Sequence, residues 1–381
     1  MALGNLGMNY TKLGQPRRAI ECHERQLAIV KELKNQRGEM FTLGNLGNAF
    51  ADLGDTHRAI EYHEQALELA RDLQDIDTEG ALLGNLGMAY GHLGKPQEAI
   101  ELHERSLVIA REILDRRSEH HALRNIGLAY ADMGFPQRAI PYHQEQLAIA
   151  KILDDRYAES EALYNLSSAF YLSENPAKAL EIGEEALAID REIENRSGEG
   201  RDYGLLAGAY RMSGEVQRAI GLYELQLSVA RELSHPRDEA DALVSLGHAY
   251  LQISEPRRAV NAYEEAITLY EDAGDRRGLG DTTSNLGYAC FQAGDINRSI
   301  ECYDRCVLIA RQMNNAFGEA TMLVNKGSML DELGNRAKAI LAYNLAFEIF
   351  QQLESPEAAD ILSQLEEWQH EESLRIEGYS A

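Results

Sequence analysis

The sequence predicts an all-α chain of tandem helix pairs, on the evidence of a constant repeat length and of glycine and proline residues that recur at the turns between helices. A 40-residue period runs without a gap from Met1 to about Leu353, and a fixed period of this size is the signature of repeat architectures. Within each period, a glycine, a proline two residues later, or both separate two apolar stripes at helical spacing. Antiparallel helix pairs stacked in line build a solenoid with a concave inner wall.

The first helix of each repeat has the most regular sequence. Leu43, Leu46 and Phe50 mark one helical face, as expected for a buried apolar stripe. The five residues 43–47 read Leu-Gly-Asn-Leu-Gly, and exact or looser copies occupy residues 3–7, 83–87, 123–127, 163–167 and 284–287. The sequence therefore predicts one recurring first helix in almost every repeat.

Turn and cap residues set the ends of both helices. Glycine after the first helix favours a left-handed C-cap, and it occurs at Gly14, Gly54, Gly94, Gly134, Gly214, Gly294 and Gly334. Proline suits the first position of the second helix, and it occurs at Pro16, Pro96, Pro136, Pro176 and Pro256. An N-cap side chain precedes the next first helix, at Asn35, Asp75, Asp115, Asp155, Asn195, Asp275 and Asn315.

The repeat resembles the tetratricopeptide repeat family. The resemblance rests on Leu83, Leu86, Gly87 and Tyr90, followed by the small Ala99 in the second helix. The usual large aromatic residue at the start of the motif is Leu here, and the repeat is longer than the common 34 residues. The Leu-Gly-Asn motif is similar to the repeat motifs of both Pins-type adaptors and bacterial tandem arrays. The resemblance implies a right-handed α-solenoid that binds a protein or a peptide.

Three segments are expected along the chain. Nine repeats fill residues 1–354, and the first is incomplete at its N-terminal end because Met1 falls inside a first helix. A natural start and a fragment of a longer protein are both compatible with this. Residues 355–371, with Ile361, Leu365 and Trp368 on one side, are expected to form a C-terminal capping helix. Residues 372–381 are expected to be a flexible tail.

The most informative column is an asparagine in the first helix that points away from the helix–helix core. Its primary amide offers both donor and acceptor, which matches a peptide backbone. In the family that the chain resembles, a similar asparagine holds the backbone of an extended peptide. The column consists of Asn5, Asn45, Asn85, Asn125, Asn165, Asn285 and Asn325, and it is broken by Leu205 and Ser245. The alternative is that duplication copied an asparagine that has no task.

Neighbouring positions on the same wall are expected to set specificity. Arg124, Arg201 and Arg211 are candidate clamps for a ligand carboxylate. Asn48 and Tyr164 are candidate contacts beside the asparagine column. For each of these residues, an ordinary solvated side chain is the competing interpretation.

Charge and hydropathy restrict the partners. The chain has 62 acidic and 37 basic residues, a formal net charge of −25, and such a surface repels phosphate backbones. No run of 18 apolar residues is available for a membrane span. We therefore expect a cytoplasmic protein that binds neither nucleic acid nor membranes.

No catalytic or metal-binding pattern appears in the sequence. His23, His63, His103 and His143 occupy the position that tyrosine takes in later repeats, which indicates packing rather than metal ligation. The cysteines contain no CxxC pair, and buried free thiols commonly pack as small apolar side chains. We therefore expect no enzyme activity, no metal and no cofactor.

Three functions remain open at this stage. The first is a scaffold that holds a linear peptide or a helix of a partner protein through the asparagine column. The second is the sensor array of a larger signalling protein, with an ATPase or protease domain elsewhere. The third is self-association through exposed repeat faces.

Overall fold

The computed structural model describes the backbone of residues 2–378 and the side chains of residues 2–371. Residues 2–378 are helical with short turns and contain no strand, so the all-α solenoid prediction is confirmed. The chain divides into two compact bodies, an N-terminal body of Met1–Gly198 and a C-terminal body of Glu199–Ala381. None of the described helices is both long and apolar enough to cross a membrane.

Each repeat contributes one first helix and one second helix. The helices of the N-terminal body are α1 (Ala2–Lys12), α2 (Pro16–Glu32), α3 (Gln36–Leu53), α4 (Thr56–Asp72), α5 (Ile76–His92), α6 (Pro96–Glu112), α7 (Arg116–Asp132), α8 (Pro136–Leu153), α9 (Arg156–Leu172) and α10 (Pro176–Glu192). The boundary falls within α11 (Arg196–Met212). The helices that follow in the C-terminal body are α12 (Val216–Glu232), α13 (Pro236–Gln252), α14 (Pro256–Ala273), α15 (Arg276–Gln292), α16 (Ile296–Gln312), α17 (Ala316–Glu332), α18 (Arg336–Gln352) and α19 (Glu357–Gly378).

The last helix is longer than expected. The sequence places its end at residue 371, but the backbone stays helical to Gly378, because the residues before this glycine include the good helix formers Leu374 and Arg375. The side chains of the expected flexible tail, 372–381, lie outside the described residues. Ile361, Leu365 and Trp368 pack into the core at the end of the C-terminal body.

The predicted caps close the first helices. Asn35 accepts a hydrogen bond from the backbone N–H of Gly38 at 3.0 Å, and Asp155 accepts one from Ala158 at 3.0 Å. Some second helices also have a cap that the sequence analysis did not single out, such as Asp55, which accepts from Arg58 N–H at 3.2 Å. These bonds satisfy backbone donors that have no partner within the helix.

The turns between helices use left-handed residues throughout. The seven predicted glycines all have positive φ. Most turns from a second helix to the next first helix use a non-glycine residue instead, such as Leu114 with φ 59° and Glu194 with φ 57°, and one uses Gly274. A left-handed L-residue costs about 1–2 kcal/mol, so the packing of the helices on either side holds these turns in place.

Glycine in the first helix makes room for a large ring from the second helix of the same repeat. A Cβ atom on Gly127 would lie 2.4 Å from His143, so any side chain there would displace the imidazole. The same contact occurs at Gly7–His23, Gly47–His63, Gly87–His103, Gly247–Tyr263 and Gly327–Tyr343. The fifth repeat has the opposite order, with Ser167 on the first helix and Gly183 on the second. These buried rings confirm packing as the role of the histidine column.

An ion pair joins most second helices to the following first helix. Arg111 Nε donates to Glu119 at 2.9 Å, and Arg116 also donates to this carboxylate at 2.6 Å. Equivalent pairs are Lys31–Glu39, Arg71–Glu79, Lys151–Glu159, Arg231–Glu239 and Arg311–Glu319. One repeat loses both partners together, because Glu271 and Leu279 stand at these positions, and Glu271 instead pairs with Arg305.

Candidate functional site

In the N-terminal body, successive first helices lie side by side. The helices α1, α3, α5, α7 and α9 contact one another in order. One face of these helices carries the asparagine column and stays accessible between its neighbours. This face, defined by Asn45, Asn85, Asn125, Asn165 and the residues between them, is called the first-helix wall.

The asparagine side chains differ in exposure along the wall. Asn5 is exposed, and Asn45, Asn85 and Asn125 are half-buried. Asn165 is 7% exposed, and its Nδ2 finds no hydrogen-bond acceptor among the described residues. The column therefore carries unused hydrogen-bonding capacity at one end of the wall.

One amide of the column binds an amide of the preceding repeat. Asn85 Nδ2 donates to Asn48 Oδ1 at 3.1 Å, so these two predicted site residues form one pair. The residue at the Asn48 position is Met88 in the next repeat and Leu128 in the one after, and neither can replace this bond. An amide is therefore linked to the preceding repeat only where that position is polar.

Arg124 is not a free clamp, contrary to the expectation from the sequence. Its Nη1 donates to Glu161 Oε1 at 3.1 Å, and its Nε donates to Asn125 Oδ1 at 3.2 Å. Both side chains of the ion pair are about three-quarters buried, with 26% and 22% exposed. Arginine forms such charge-assisted pairs wherever a carboxylate is within reach, and Glu161 lies one repeat further along the wall. Tyr164, also a predicted contact, is half-buried beside it.

The sequence analysis missed two apolar residues on the wall. Met88 is 43% exposed and Leu128 is 41% exposed. Each lies three residues after an asparagine, hence on the same helical face. That spacing could have identified them, because the predicted contact Asn48 also lies three residues after an asparagine of the column. The wall thus alternates amide groups with exposed apolar side chains.

The remaining predicted site residues belong to the C-terminal body. Asn285 is half-buried and hydrogen-bonds the His248 side chain. Burial lowers the pKa of His248, and the nearby Arg211 lowers it further. Arg201 and Asn325 are half-buried. Asn285, His248 and Arg211 are therefore brought together, in the same Asn-to-preceding-repeat relation as Asn85 and Asn48.

Three of the four cysteines lie in the core of the C-terminal body. Cys290, Cys302 and Cys306 are buried, and Cys306 Sγ donates to the carbonyl of Gly280 at 3.6 Å. Burial raises the pKa of the Cys306 thiol to about 12, which keeps it protonated and unreactive at neutral pH. Among residues 2–371, no group of three His, Cys, Asp or Glu side chains is arranged to hold a metal ion.

Solved structures with the same fold come from several proteins. BtubC (BKLC) from P. vanneervenii is 20% identical, with a TM-score of 0.52 over 57% of this chain and 92% of that chain. A signal transduction ATPase with a tetratricopeptide repeat sensor, from Pyrococcus horikoshii, is 15% identical, with a TM-score of 0.63 over 93% of this chain and 54% of that chain. A Rap protein complexed with Competence and Sporulation Factor is 16% identical, with a TM-score of 0.53 over 87% of this chain and 98% of that chain. No curated protein sequence matches the chain.

The sequence profile of the tetratricopeptide repeat matches most of the chain. It covers residues 1–72, 118–192, 203–272 and 279–352, and a second profile of the same description covers residues 81–122. These matches agree with the repeat register and the helix pairs described above. The chain belongs to the tetratricopeptide repeat family, whose arrays serve as scaffolds for protein–protein interaction.

Proposed function

We propose that the first-helix wall holds an extended peptide of a partner protein, and that the chain is a cytoplasmic binding scaffold without catalytic activity. The observation that carries this proposal is the amide column of Asn45, Asn85, Asn125 and Asn165, with Met88 and Leu128 exposed between its members. Primary amides pair with a peptide backbone in any sequence, whereas the apolar residues between them favour apolar ligand side chains.

The hydrogen-bonding state of the wall supports a ligand at its Asn165 end. A buried donor without an acceptor costs about 1–3 kcal/mol, and Asn165 Nδ2 is such a donor. A peptide carbonyl that reaches this amide after a small side-chain rotation removes that cost. The fold is also seen in a complex, because the similar Rap protein is complexed with Competence and Sporulation Factor.

Affinity capture from the source cell tests the proposal. The parent chain is compared with a variant in which Asn45, Asn85, Asn125 and Asn165 are all changed to Ala. The matched control changes Gln65 and Gln144 to Ala, because these exposed amides lie on second helices. We expect the parent and the control to capture the same partner and the asparagine variant to lose it. Equal capture by all three proteins would place the binding surface elsewhere.

A second candidate function is the sensor array of a larger signalling protein. It is favoured by the Pyrococcus horikoshii ATPase, whose similar region covers 93% of this chain and only 54% of that chain. An antibody against the wall distinguishes the two on an immunoblot of the source cell. A band near 42.5 kDa supports the scaffold, whereas a band of much higher mass supports the sensor array.

A further inference from the structure

A cavity of about 670 Å³ with a mixed polar and apolar lining opens between α15, α16 and α17 in the C-terminal body. Cys306, Ile309 and Ala310 form its floor, Met313 and Met322 form its sides, and Asp281 lies at its rim. Asn285 of the asparagine column also lines it. A cavity of this size with an apolar floor and a few polar groups is the usual form of a ligand pocket.

The preceding repeat shows how a tyrosine ring can fill the equivalent place. Tyr270 of α14 is 6% exposed, and its hydroxyl donates to Asp241 Oδ1 at 2.6 Å. Its ring lies against Gly278, where a Cβ atom would stand 2.6 Å from the ring. The ring, the glycine and the carboxylate therefore form one interlocking set.

One repeat later, the glycine and the carboxylate recur without the ring. Most repeats carry alanine at the ring's position, and the Asn315 side chain lies against Gly318. Gly318 and Asp281 stand forty residues after Gly278 and Asp241, but Ala310 takes the place of Tyr270. Both Gly318 and Asp281 line the cavity. The Asp281 carboxylate has only a loose ion pair with Arg277, at 4.0 Å between side chains that are 76% and 87% exposed. Such a surface pair contributes little, so the carboxylate remains available as an acceptor.

We propose that this cavity binds a tyrosine side chain of the partner peptide. The phenol donates to Asp281, and the ring covers Ile309 and Ala310 between the flexible thioethers of Met313 and Met322, which adapt to aromatic surfaces. The tyrosine belongs to the partner protein of the proposed function, so the inference rests on that function. An aliphatic side chain would leave the Asp281 carboxylate without a donor.

The experiment uses p-cresol, the analogue of the tyrosine side chain, as its probe. The full-length chain is labelled with ¹³C at the methionine methyl groups, and p-cresol is titrated up to its solubility limit. We expect saturable shifts of the Met313 and Met322 signals, because an aromatic ring shifts the resonances of the methyl groups beside it. Toluene and butylamine are titrated in parallel, and a stronger response to either would overturn the assignment to tyrosine.

Two variants locate the probe. Ala310→Tyr supplies the missing ring from the chain itself, and we expect it to weaken p-cresol binding by about tenfold or more. Asp281→Asn leaves the cavity open and weakens the hydrogen bond, so we expect a loss of about three- to tenfold, as for a bond to a charged acceptor. It serves as the test if Ala310→Tyr fails to fold. Unchanged affinity in Asp281→Asn and Ala310→Tyr, or no saturable shift in the parent, would overturn the inference.

The matched control is Asp272→Asn, which removes an exposed carboxylate of α14 that does not line the cavity. It should bind p-cresol as the parent does. The failure of this inference is distinguishable from failure of the proposed function, because Ala310→Tyr leaves the first-helix wall of the N-terminal body unchanged. Loss of p-cresol binding in that variant supports the pocket whatever the asparagine variants show.

Discussion

Gly47 meets His63 so closely that a Cβ atom on the glycine would lie 2.5 Å from the Cε1 atom of the imidazole. His63 is 1% exposed and cannot move toward solvent without opening the contact between α3 and α4. The glycine is therefore required by the ring it faces, although it lies inside a helix, where glycine is unfavourable by about 0.5–1 kcal/mol relative to alanine.

We predict that Gly47→Ala destabilises the protein by about 1–3 kcal/mol, the usual cost of overpacking. The matched control is Gly44→Ala, one turn earlier, where a Cβ atom would stand 3.5 Å from Leu82, an ordinary contact. That control should be neutral or slightly stabilising because alanine is the better helix former. Chemical denaturation of both variants measures the difference, and equal stability of the two would contradict the packing account.

The buried histidines predict a loss of stability in mild acid. Burial lowers the pKa of His63 and of His103 to about 4, whereas the unfolded value is about 6.5. The unfolded chain therefore binds protons that the folded chain excludes between these two pH values. Stability is fully present above pH about 6.5 and falls as the pH approaches 4, by up to about 3 kcal/mol per histidine.

Denaturation curves at several pH values test this prediction. His63→Tyr places at this position the residue that Tyr263 already provides in a later repeat, and it should reduce the pH dependence between 6.5 and 4. The control is His57→Gln at an exposed site, which should retain the dependence of the parent. An unchanged curve for His63→Tyr would show that other groups cause the acid sensitivity.

Much of the fold follows from the sequence, and the exceptions have physical causes. Repeat length, caps and glycine turns are local signals, so they identified almost every helix end. The turns at Leu114 and Glu194 were not foreseen, because nothing local favours a left-handed conformation in these residues.

The contacts within the candidate site were harder to predict from the sequence than the helices were. The Arg124–Glu161 pair joins residues 37 apart, and the helical face alone could not show that this arginine is already paired.

The repeat register predicts which deletions the N-terminal body tolerates. Removal of residues 80–119 takes out one complete helix pair, so each remaining repeat still meets a compatible neighbour. Removal of residues 80–99 brings a second helix to the place of a first helix and misaligns the Gly–His contacts. Circular dichroism and cooperative melting should be retained in the longer deletion and lost in the shorter one. Equal behaviour of the two proteins would contradict the 40-residue register.

The Arg124–Glu161 pair predicts a way to change specificity. Glu161→Gln releases the guanidinium from its carboxylate, so acidic peptides should bind about fivefold more tightly, consistent with a partly buried ion pair of about 1 kcal/mol. Arg124→Gln should weaken acidic peptides and flatten the salt dependence of binding. Titrations of the captured partner peptide at low and high salt measure both effects. Identical salt dependence in the parent and in Arg124→Gln would exclude this residue from the interface.

The most direct test of the central claim is calorimetric titration of the captured peptide against graded changes in the asparagine column. One Asn-to-Ala change should weaken binding by about tenfold or less, because a single hydrogen bond contributes about 0.5–1.5 kcal/mol net. Changing Asn45, Asn85, Asn125 and Asn165 together should weaken it far more, with helicity and melting temperature nearly unchanged. Wild-type affinity in the quadruple variant would show that the asparagine column is a relic of duplication.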